Sequence, residues 1–340
     1  MAFGVDGMER PVEARHLVRI PVHRVGAAYP METLACEEAR AQALIDSATG
    51  KFPAPVLAAL DAISRRWLAR HDSAYLPEID DIAGRLNRPG SYFLSVNYEW
   101  SCTCKVAPAP NHRSARLIRV LDWGLPGLGR NVIAARVSGD AGPFTTLTWP
   151  GYTGLLQGMA PQRFAAALNQ APMRNRLGTF LLDWAVNLFR VWDTPHITAA
   201  HLLREVFESA PSYEVAKRML IERPIAAPAI FSLAGLRPSE IAIIERTQTQ
   251  AQVHEGSNVA ANHWQAPGWR GHARGYDSAG RACRMHTVST EFDLDFPWLA
   301  SPLLNAETRL VMIADAAEGR LIARGIEARR PATKTLDLAD

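Results

Sequence analysis

The sequence predicts an α+β layered domain, and three observations carry that expectation. The first hundred residues are mainly helical, strand candidates fill the stretch from about 91 to 168, and after a helical interval strands resume and close in a hairpin. Strands, then helices, then strands argue against a parallel doubly wound sheet, where the two alternate regularly. With 340 residues, 48% hydrophobic and 21% charged, the chain can bury a substantial core.

Taken in order, residues 17–25 read as a strand, with Val18, Ile20 and Val22 alternating. Residues 31–46 read as a helix. Over 55–70, Val56, Leu57, Leu60, Ile63, Trp67 and Leu68 recur at helical spacing. Pro77 marks a helix start and Pro89-Gly90 its end. The aromatic and apolar run SYFLSVNYEW from Ser91 predicts a strand. Further strands are expected at 103–107, 115–121, 131–137, 144–149 and 163–168, with Gly, Pro and Asn between them. Residues 176–192 predict a strongly apolar helix, and Leu177, Phe180, Leu181, Trp184, Leu188 and Trp192 form a stripe that faces the core or lines an acyl groove. Helices over 198–209, capped by Thr198, and 214–222 follow. Strands are expected at 227–233, 240–245, 251–254 and 257–262, and a closing hairpin at 309–314 and 320–326 turns at Glu318-Gly319.

Several function classes fall away on composition. Net charge is +3 with scattered Lys and Arg, so no basic stripe with interleaved aromatics marks a nucleic-acid surface. The start of the sequence carries charges throughout and has no apolar signal core, and no window approaches twenty uncharged apolar residues. The expected compartment is the cytoplasm, where the four cysteines, Cys36, Cys102, Cys104 and Cys283, stay reduced. Cys102-Thr103-Cys104 lacks the second pair a zinc site needs. No metal or organic cofactor is implied.

Read alone, the candidate motifs have plain structural readings. Cys102, at the head of a strand in SVNYEWSCTCKVA, reads as a small packed residue or a thiol nucleophile. Arg119 and Asp122, three apart in LIRVLDW, read as a surface ion pair. Gly124-Leu-Pro-Gly-Leu-Gly129 lacks the Lys-Ser/Thr of a phosphate loop and reads as a plain turn with no helix starting there. His196 and His201 would point about 140° apart on one helix, which does not suit a shared metal; His201 reads as an ordinary helix residue. His263 and His272 are candidate bases, with surface or core roles as the plainer reading. No Gly-x-Ser-x-Gly elbow is present.

Together, however, the segments in order resemble one family, acid ceramidase and N-acylethanolamine acid amidase within the choloylglycine-hydrolase superfamily. NYEWSCTCKVA is similar to that family's N-x-x-Y-E segment leading into Cys-Thr-Ser-x-Val-Ala, and LIRVLDW to its Arg-Asn-Leu-Asp-aromatic motif. FTTLTWPGYTGLLQGMAPQRFAAALN, ERPIAAPAIFSLAGLRPSEIAIIERT, NVAANHW, ARGYDSAGR and SPLLNAETRLVMIADAAEGRLIARG resemble its later segments. The resemblance spans about residues 91–326. Cys104 stands where the family usually has Ser, Val120 where it has Asn, and the Cys102-to-Asp122 interval is one residue longer than usual.

The resemblance implies an αββα sandwich of two antiparallel sheets and a self-cleaving N-terminal-nucleophile amidase. Cleavage between Ser101 and Cys102 would divide the chain into a helical segment, 1–101, and a hydrolase segment, 102–340, held together as an α/β heterodimer. It implies catalytic roles for Cys102, Arg119, Asp122, Asn262 and Arg274, and substrate contacts at Asn169, Glu99, Trp123, Trp149 and Trp264. The partner would be a small N-acyl amide. Chemically, cleavage supplies an α-amine of pKa roughly 7.7–8.0 that can take the thiol proton. Asn262 is expected to donate to the oxyanion, Asp122 to hold the ammonium, and Arg119 to pair with Asp122 while favouring the thiolate. Cys104 shares a strand face with Cys102 and is the other candidate nucleophile. An N-acyltransferase using the same thioester, and a processing-dead binding or scaffold protein, are the alternative readings.

Overall fold

Two sheets form where the sequence alternates or runs continuously apolar, and helices cover their outer faces. A computed structural model of the chain describes residues 17–339, apart from 51–52, 97–99, 180–181, 184–185, 188–189 and 192. Strand β1 (Val22–Val25) precedes five helices, α1 (Tyr29–Cys36), α2 (Glu38–Thr49), α3 (Ala54–Arg70), α4 (Leu76–Leu86) and α5 (Ser91–Val96). Then come β2 (Ser101–Pro108), β3 (Ala115–Asp122), the short α6 (Leu128–Asn131), β4 (Ile133–Gly139), β5 (Gly142–Thr148), β6 (Gln157–Ala160), β7 (Phe164–Gln170) and β8 (Met173–Arg174). Helices α7 (Ala199–Ser209) and α8 (Tyr213–Glu222) lead to β9 (Ala229–Ala234), β10 (Ile241–Arg246), β11 (Ala251–Glu255), β12 (Asn258–Ala260) and β13 (Gly271–His272). The remaining elements are α9 (Ser278–His286), β14 (Thr308–Asp315), β15 (Arg320–Glu327), β16 (Arg330–Pro331) and β17 (Leu336–Ala339).

The eight-stranded sheet runs β1-β4-β5-β6-β7-β9-β10-β11, antiparallel except where β1 joins β4 in parallel. The seven-stranded sheet runs β12-β2-β3-β14-β15-β16, with β17 also on β15. The period of two sorts each strand's side chains between layers. Leu117 and Leu121 of β3, with Leu310 and Met312 of β14, enter the core between the sheets beside Ala165, Ala167 and Phe231. Ile118, Val120, Val311 and Ile313 point the other way, onto Met285 of α9 and Phe296 and Leu303. Phe207 and Leu203 of α7 and Leu220 of α8 close the outer face of the eight-stranded sheet. The result is the αββα sandwich that the resemblance implied.

Local signals were overridden at three places. The expected strand from Ser91 is helix α5: its spacing of four sets Ser95 Oγ on the Ser91 carbonyl at 2.8 Å and puts Tyr92 and Val96 together against the Trp67–Leu68–Ile79 cluster. Tyr92 also donates to Asp80 at 2.7 Å. The expected helix over 31–46 is two helices, parted at Glu37, whose carboxylate is held by His23 and Arg40, each at 2.9 Å. The turn after Gly124 does start a helix, α6, entered through Gly127 at φ +88°. Of the stripe over 176–192, Phe180, Leu181, Trp184, Leu188 and Trp192 lie outside the described residues, and Leu177 is exposed.

The N-terminal helices are docked by charge as well as by apolar contact. Arg204 of α7 donates to Glu78 of α4 at 2.6 and 3.0 Å and to Glu208 at 2.8 Å. Its guanidinium also lies over the Tyr29 and Tyr75 rings, 4.7 Å from each centroid.

Helix α6 lies directly on β15. A Cβ at Gly129 would fall 2.0 Å from the Ile326 carbonyl oxygen, so no side chain fits. Gly129→Ala is predicted to cost about 3 kcal/mol, because the obstacle is backbone rather than a flexible side chain. Urea unfolding of the two proteins checks this.

Candidate active site

The site begins where a strand runs out of partners. On one edge, β2 pairs with β3 along its whole length, from Ser101 opposite Asp122 to Pro108 opposite Ala115. On its other edge β12 ends at Ala260, opposite Cys104. The outward N–H of buried Cys102 therefore has no strand beside it, and it donates instead to Asn262 Oδ1 at 2.8 Å. Asn262 is itself fixed: its N–H donates to Ser278 Oγ at 2.9 Å and its Nδ2 to the Gln170 carbonyl at 2.7 Å. Arg281 Nη2 also donates to Asn262 Oδ1, at 2.9 Å. Two donors converge on that atom, so it must be oxygen. Asn262 thus presents an acceptor to the nitrogen of Cys102 and gives one of its two Nδ2 hydrogens to Gln170.

The sulfur is held separately. Arg119 stands opposite Cys104 in the β2–β3 register and reaches diagonally to Cys102, placing Nη2 2.8 Å from its Sγ. Nη1 donates to Asn169 Oδ1 at 2.6 Å and to Cys104 Sγ at 3.3 Å. The Cys104 thiol in turn donates to Asn169 Oδ1 at 3.1 Å. Asn169 Nδ2 closes the post on the carbonyls of Ala260, Ala261 and Cys102, at 3.1, 3.2 and 3.4 Å. Asn169 is thus an anchor for Arg119 and the strand ends. Asn169 Oδ1 can only accept, so Cys104 is the donor in that contact.

Burial dominates the electrostatics of Cys102. Desolvation pushes its thiol up to about 12, against the pull of Arg119 and Arg281; Cys104 and Asp122 add to the rise. In the uncut chain Cys102 is therefore a neutral thiol. Arg119 is wholly buried, and its hydrogen bonds among the described residues go to two sulfurs and an amide oxygen, with Nε unpartnered.

Arg119 and Asp122 do not form the expected pair. Three residues along a strand puts them on opposite faces, and both are buried. Asp122 accepts from Thr308 Oγ1 at 2.8 Å and Asn305 Nδ2 at 2.9 Å, and Arg281 Nη1 lies 3.7 Å from its Oδ2. Burial raises the Asp122 carboxyl, and Arg281 lowers it. The cation serving both Asp122 and Cys102 is Arg281, whose Nη1 also donates to the Cys102 carbonyl at 2.8 Å and to Thr103 Oγ1 at 2.8 Å.

Arg274 enters through its backbone: its N–H donates to the Asn262 carbonyl at 3.1 Å, and its carbonyl accepts from Arg281 at 3.2 Å. Arg281 was missed although it ends the quoted stretch ARGYDSAGR. The signal lay in Asp277-Ser278, since Asp277 caps α9 and the first turn of that helix carries Arg281 inward. Between them Gly275, at φ +70°, lies on Ser101, and a Cβ there would sit 2.0 Å from Ser101 Oγ. No local signal marked Asn305 and Thr308 as partners of Asp122.

The aromatic candidates divide. Trp123 packs against Trp100 and edge-on against Trp149, with ring centroids 5.5 Å apart in each case, and Tyr152 joins both. Trp123, Trp149 and Tyr152 line an apolar cleft together with Leu44 and Ile45 of α2 and Ile82 of α4. Trp264 instead packs on Trp269, 4.9 Å away. Glu99 lies outside the described residues. The histidines serve elsewhere. His263 contacts Ser278 Oγ at 2.8 Å and His272 contacts Asp183 at 3.0 Å. His201 is no ordinary helix residue: it is buried on Thr153 at 2.9 Å, and desolvation pushes its pKa down to about 3.

Arg281→Met leaves the carboxyl of Asp122 without its cation and removes one donor each from the Cys102 carbonyl and Asn262 Oδ1. It is predicted to cost about 3–5 kcal/mol at neutral pH. Since burial raises the Asp122 pKa, its ionisation opposes folding, so the penalty should be smaller at about pH 5 than at about pH 8. Thermal unfolding of both proteins at the two pH values tests the size and the sign.

No family model matches the chain. Among curated proteins it is 34% identical over 103 residues to acid ceramidase of Heterocephalus glaber and 32% identical over 108 residues to acid ceramidase of Homo sapiens. These stretches cover 30% and 32% of this chain, and the chain spans only 25% and 26% of those relatives. Among solved structures, the Caenorhabditis elegans N-acylethanolamine-hydrolyzing acid amidase ortholog superposes with TM-score 0.50 at 18% identity, over 70% of this chain and all (100%) of that one. The chain thus shares its two-sheet fold with the N-acylethanolamine-hydrolyzing acid amidase ortholog and, over about a third of its length, its sequence is similar to acid ceramidases.

Proposed function

We propose that the protein is a cysteine amidase that cuts its own chain before Cys102 and then hydrolyses the C–N bond of N-acyl amides. One observation carries this reading: the sulfur and the backbone nitrogen of Cys102 are held by separate groups, Arg119 Nη2 at 2.8 Å and Asn262 Oδ1 at 2.8 Å. A residue that is merely packed has no need of a guanidinium at its sulfur. The curated relatives are named as ceramidases, which supports an amide as the bond attacked.

In the uncut chain the thiol attacks the Ser101 carbonyl carbon, its proton passes to the Cys102 nitrogen, and the C–N bond breaks to leave a thioester. Water hydrolyses that ester, giving the Ser101 carboxylate and restoring the thiol. The freed nitrogen is now an α-amine beside Asn262 Oδ1, an acceptor suited to an amine or ammonium. With a pKa of roughly 7.7–8.0, the amine takes the thiol proton near neutral pH. The thiolate supplies the negative charge that buried Arg119 lacks. Sulfur then attacks the substrate carbonyl, the ammonium returns its proton to the leaving amine, and water releases the acid. Asp122 acts through Arg281, which ties it to the Cys102 carbonyl and to Asn262. The apolar cleft under Trp123 and Trp149 receives the acyl chain.

Intact-mass measurement tests the first step. The purified protein should resolve into two chains divided before Cys102, and Cys102→Ala should stay at 37.4 kDa and lack turnover. A C102A protein that still divides there would refute the scheme. A screen of chromogenic N-acyl amides of graded chain length tests the second step. Trp149→Ala should lower kcat/KM for the preferred chain at least about tenfold, by removing an aromatic wall worth some 1.5–3 kcal/mol of burial.

A further inference from the structure

We infer that Cys104 is a positioning residue that holds the fork of Arg119 against the sulfur of Cys102. Its part in turnover rests on the function proposed above, but the geometry that carries it does not. Cys104 is the residue directly opposite Arg119 in the β2–β3 register, whereas Cys102 is reached only diagonally. The guanidinium must therefore lean past Cys104 to put Nη2 on Cys102. Three contacts fix that lean. Nη1 donates to Cys104 Sγ at 3.3 Å and to Asn169 Oδ1 at 2.6 Å, and Cys104 donates to the same Asn169 oxygen at 3.1 Å. The thiol is thus both a cushion for the cation and a donor that fixes the amide anchoring it.

The carboxylates that could otherwise orient Arg119 are engaged elsewhere: Asp122 is on the other face of β3, with Thr308, Asn305 and Arg281. Other titratable or charged groups facing Cys102 are Cys104, Asp122 and Arg281. An ionised Cys104 would compete for Arg119 and raise the Cys102 pKa; a protonated Cys104 hands the cation on. Asn169 Oδ1, an acceptor only, takes the hydrogen bond of the Cys104 thiol. A hydroxyl at this position could make the same donation to Asn169, whereas a methyl could not.

The test is the rate of methyl methanethiosulfonate labelling at Cys102, followed by peptide mass spectrometry across pH in wild type, Cys104→Ser and Cys104→Ala. Chains are used as purified, and intact mass records whether each is cut. Cys104→Ala should move the labelling midpoint up by about one pH unit, which slows Cys102 labelling about tenfold at neutral pH. Cys104→Ser should restore the wild-type profile. A residue that only fills space would change the melting temperature and leave the midpoint where it is, and that result overturns the proposal. A midpoint that falls in Cys104→Ala also overturns it, since Cys104 would then be a competing thiolate. A wild-type chain that never divides contradicts the amidase reading, and the direction of the labelling shift still decides the role of Cys104.

Discussion

Arg119 is a cation sealed between two sheets, and the rest of the site is arranged around that fact. A buried guanidinium is costly unless its donors find partners. Here they find two sulfurs and the oxygen of Asn169. Such an arrangement is poorly balanced while both sulfurs are thiols. It becomes balanced once one of them ionises, and the geometry favours Cys102, whose sulfur is the closer to the guanidinium, at 2.8 Å against 3.3 Å. The arginine thus favours charge at one sulfur before any base is present to take the proton.

The end of the strand is built around the nitrogen of the same residue. Because β12 stops at Ala260, the nitrogen of Cys102 is bonded to a side chain instead of a neighbouring strand. A strand partner would have held that nitrogen in a ladder. Asn262 offers an acceptor that serves equally an amide N–H and a free amine. Asn262 is in turn braced by Gln170, Ser278 and Arg281, so three separate elements converge on one amide group. Gly275 lets the loop before α9 lie against Ser101, the residue before Cys102.

The sandwich could be read from the sequence because each strand carries its own period, and each motif sits in one segment, so its residues can be followed into the structure. Cys102, Arg119, Asn169 and Asn262 do converge, and Asp122 lies close by through Arg281. Pairings between motifs were harder to read. Adjacent letters suggested Arg119 with Asp122, but the alternation of β3 separates them. The true partner, Arg281, lies over a hundred and fifty residues away and is turned inward by the cap on α9. Asn262 lies beside Cys102, yet which of its two side-chain atoms faces that residue depends on the donors around it, and these come from distant segments. The strand expected at Ser91 failed for a related reason: its aromatic composition suits a sheet, but its neighbours are the helices α3 and α4.

The central claim is that freeing the nitrogen of Cys102 lets a buried thiol ionise near neutral pH. The most direct measurement is the 13Cβ chemical shift of Cys102 in the processed chain, titrated by NMR with 13C-labelled cysteine. The account predicts a thiol-to-thiolate midpoint at or below about 8, coupled to the α-amine. A sulfur that remains a thiol beyond about pH 10 in the processed chain would contradict it.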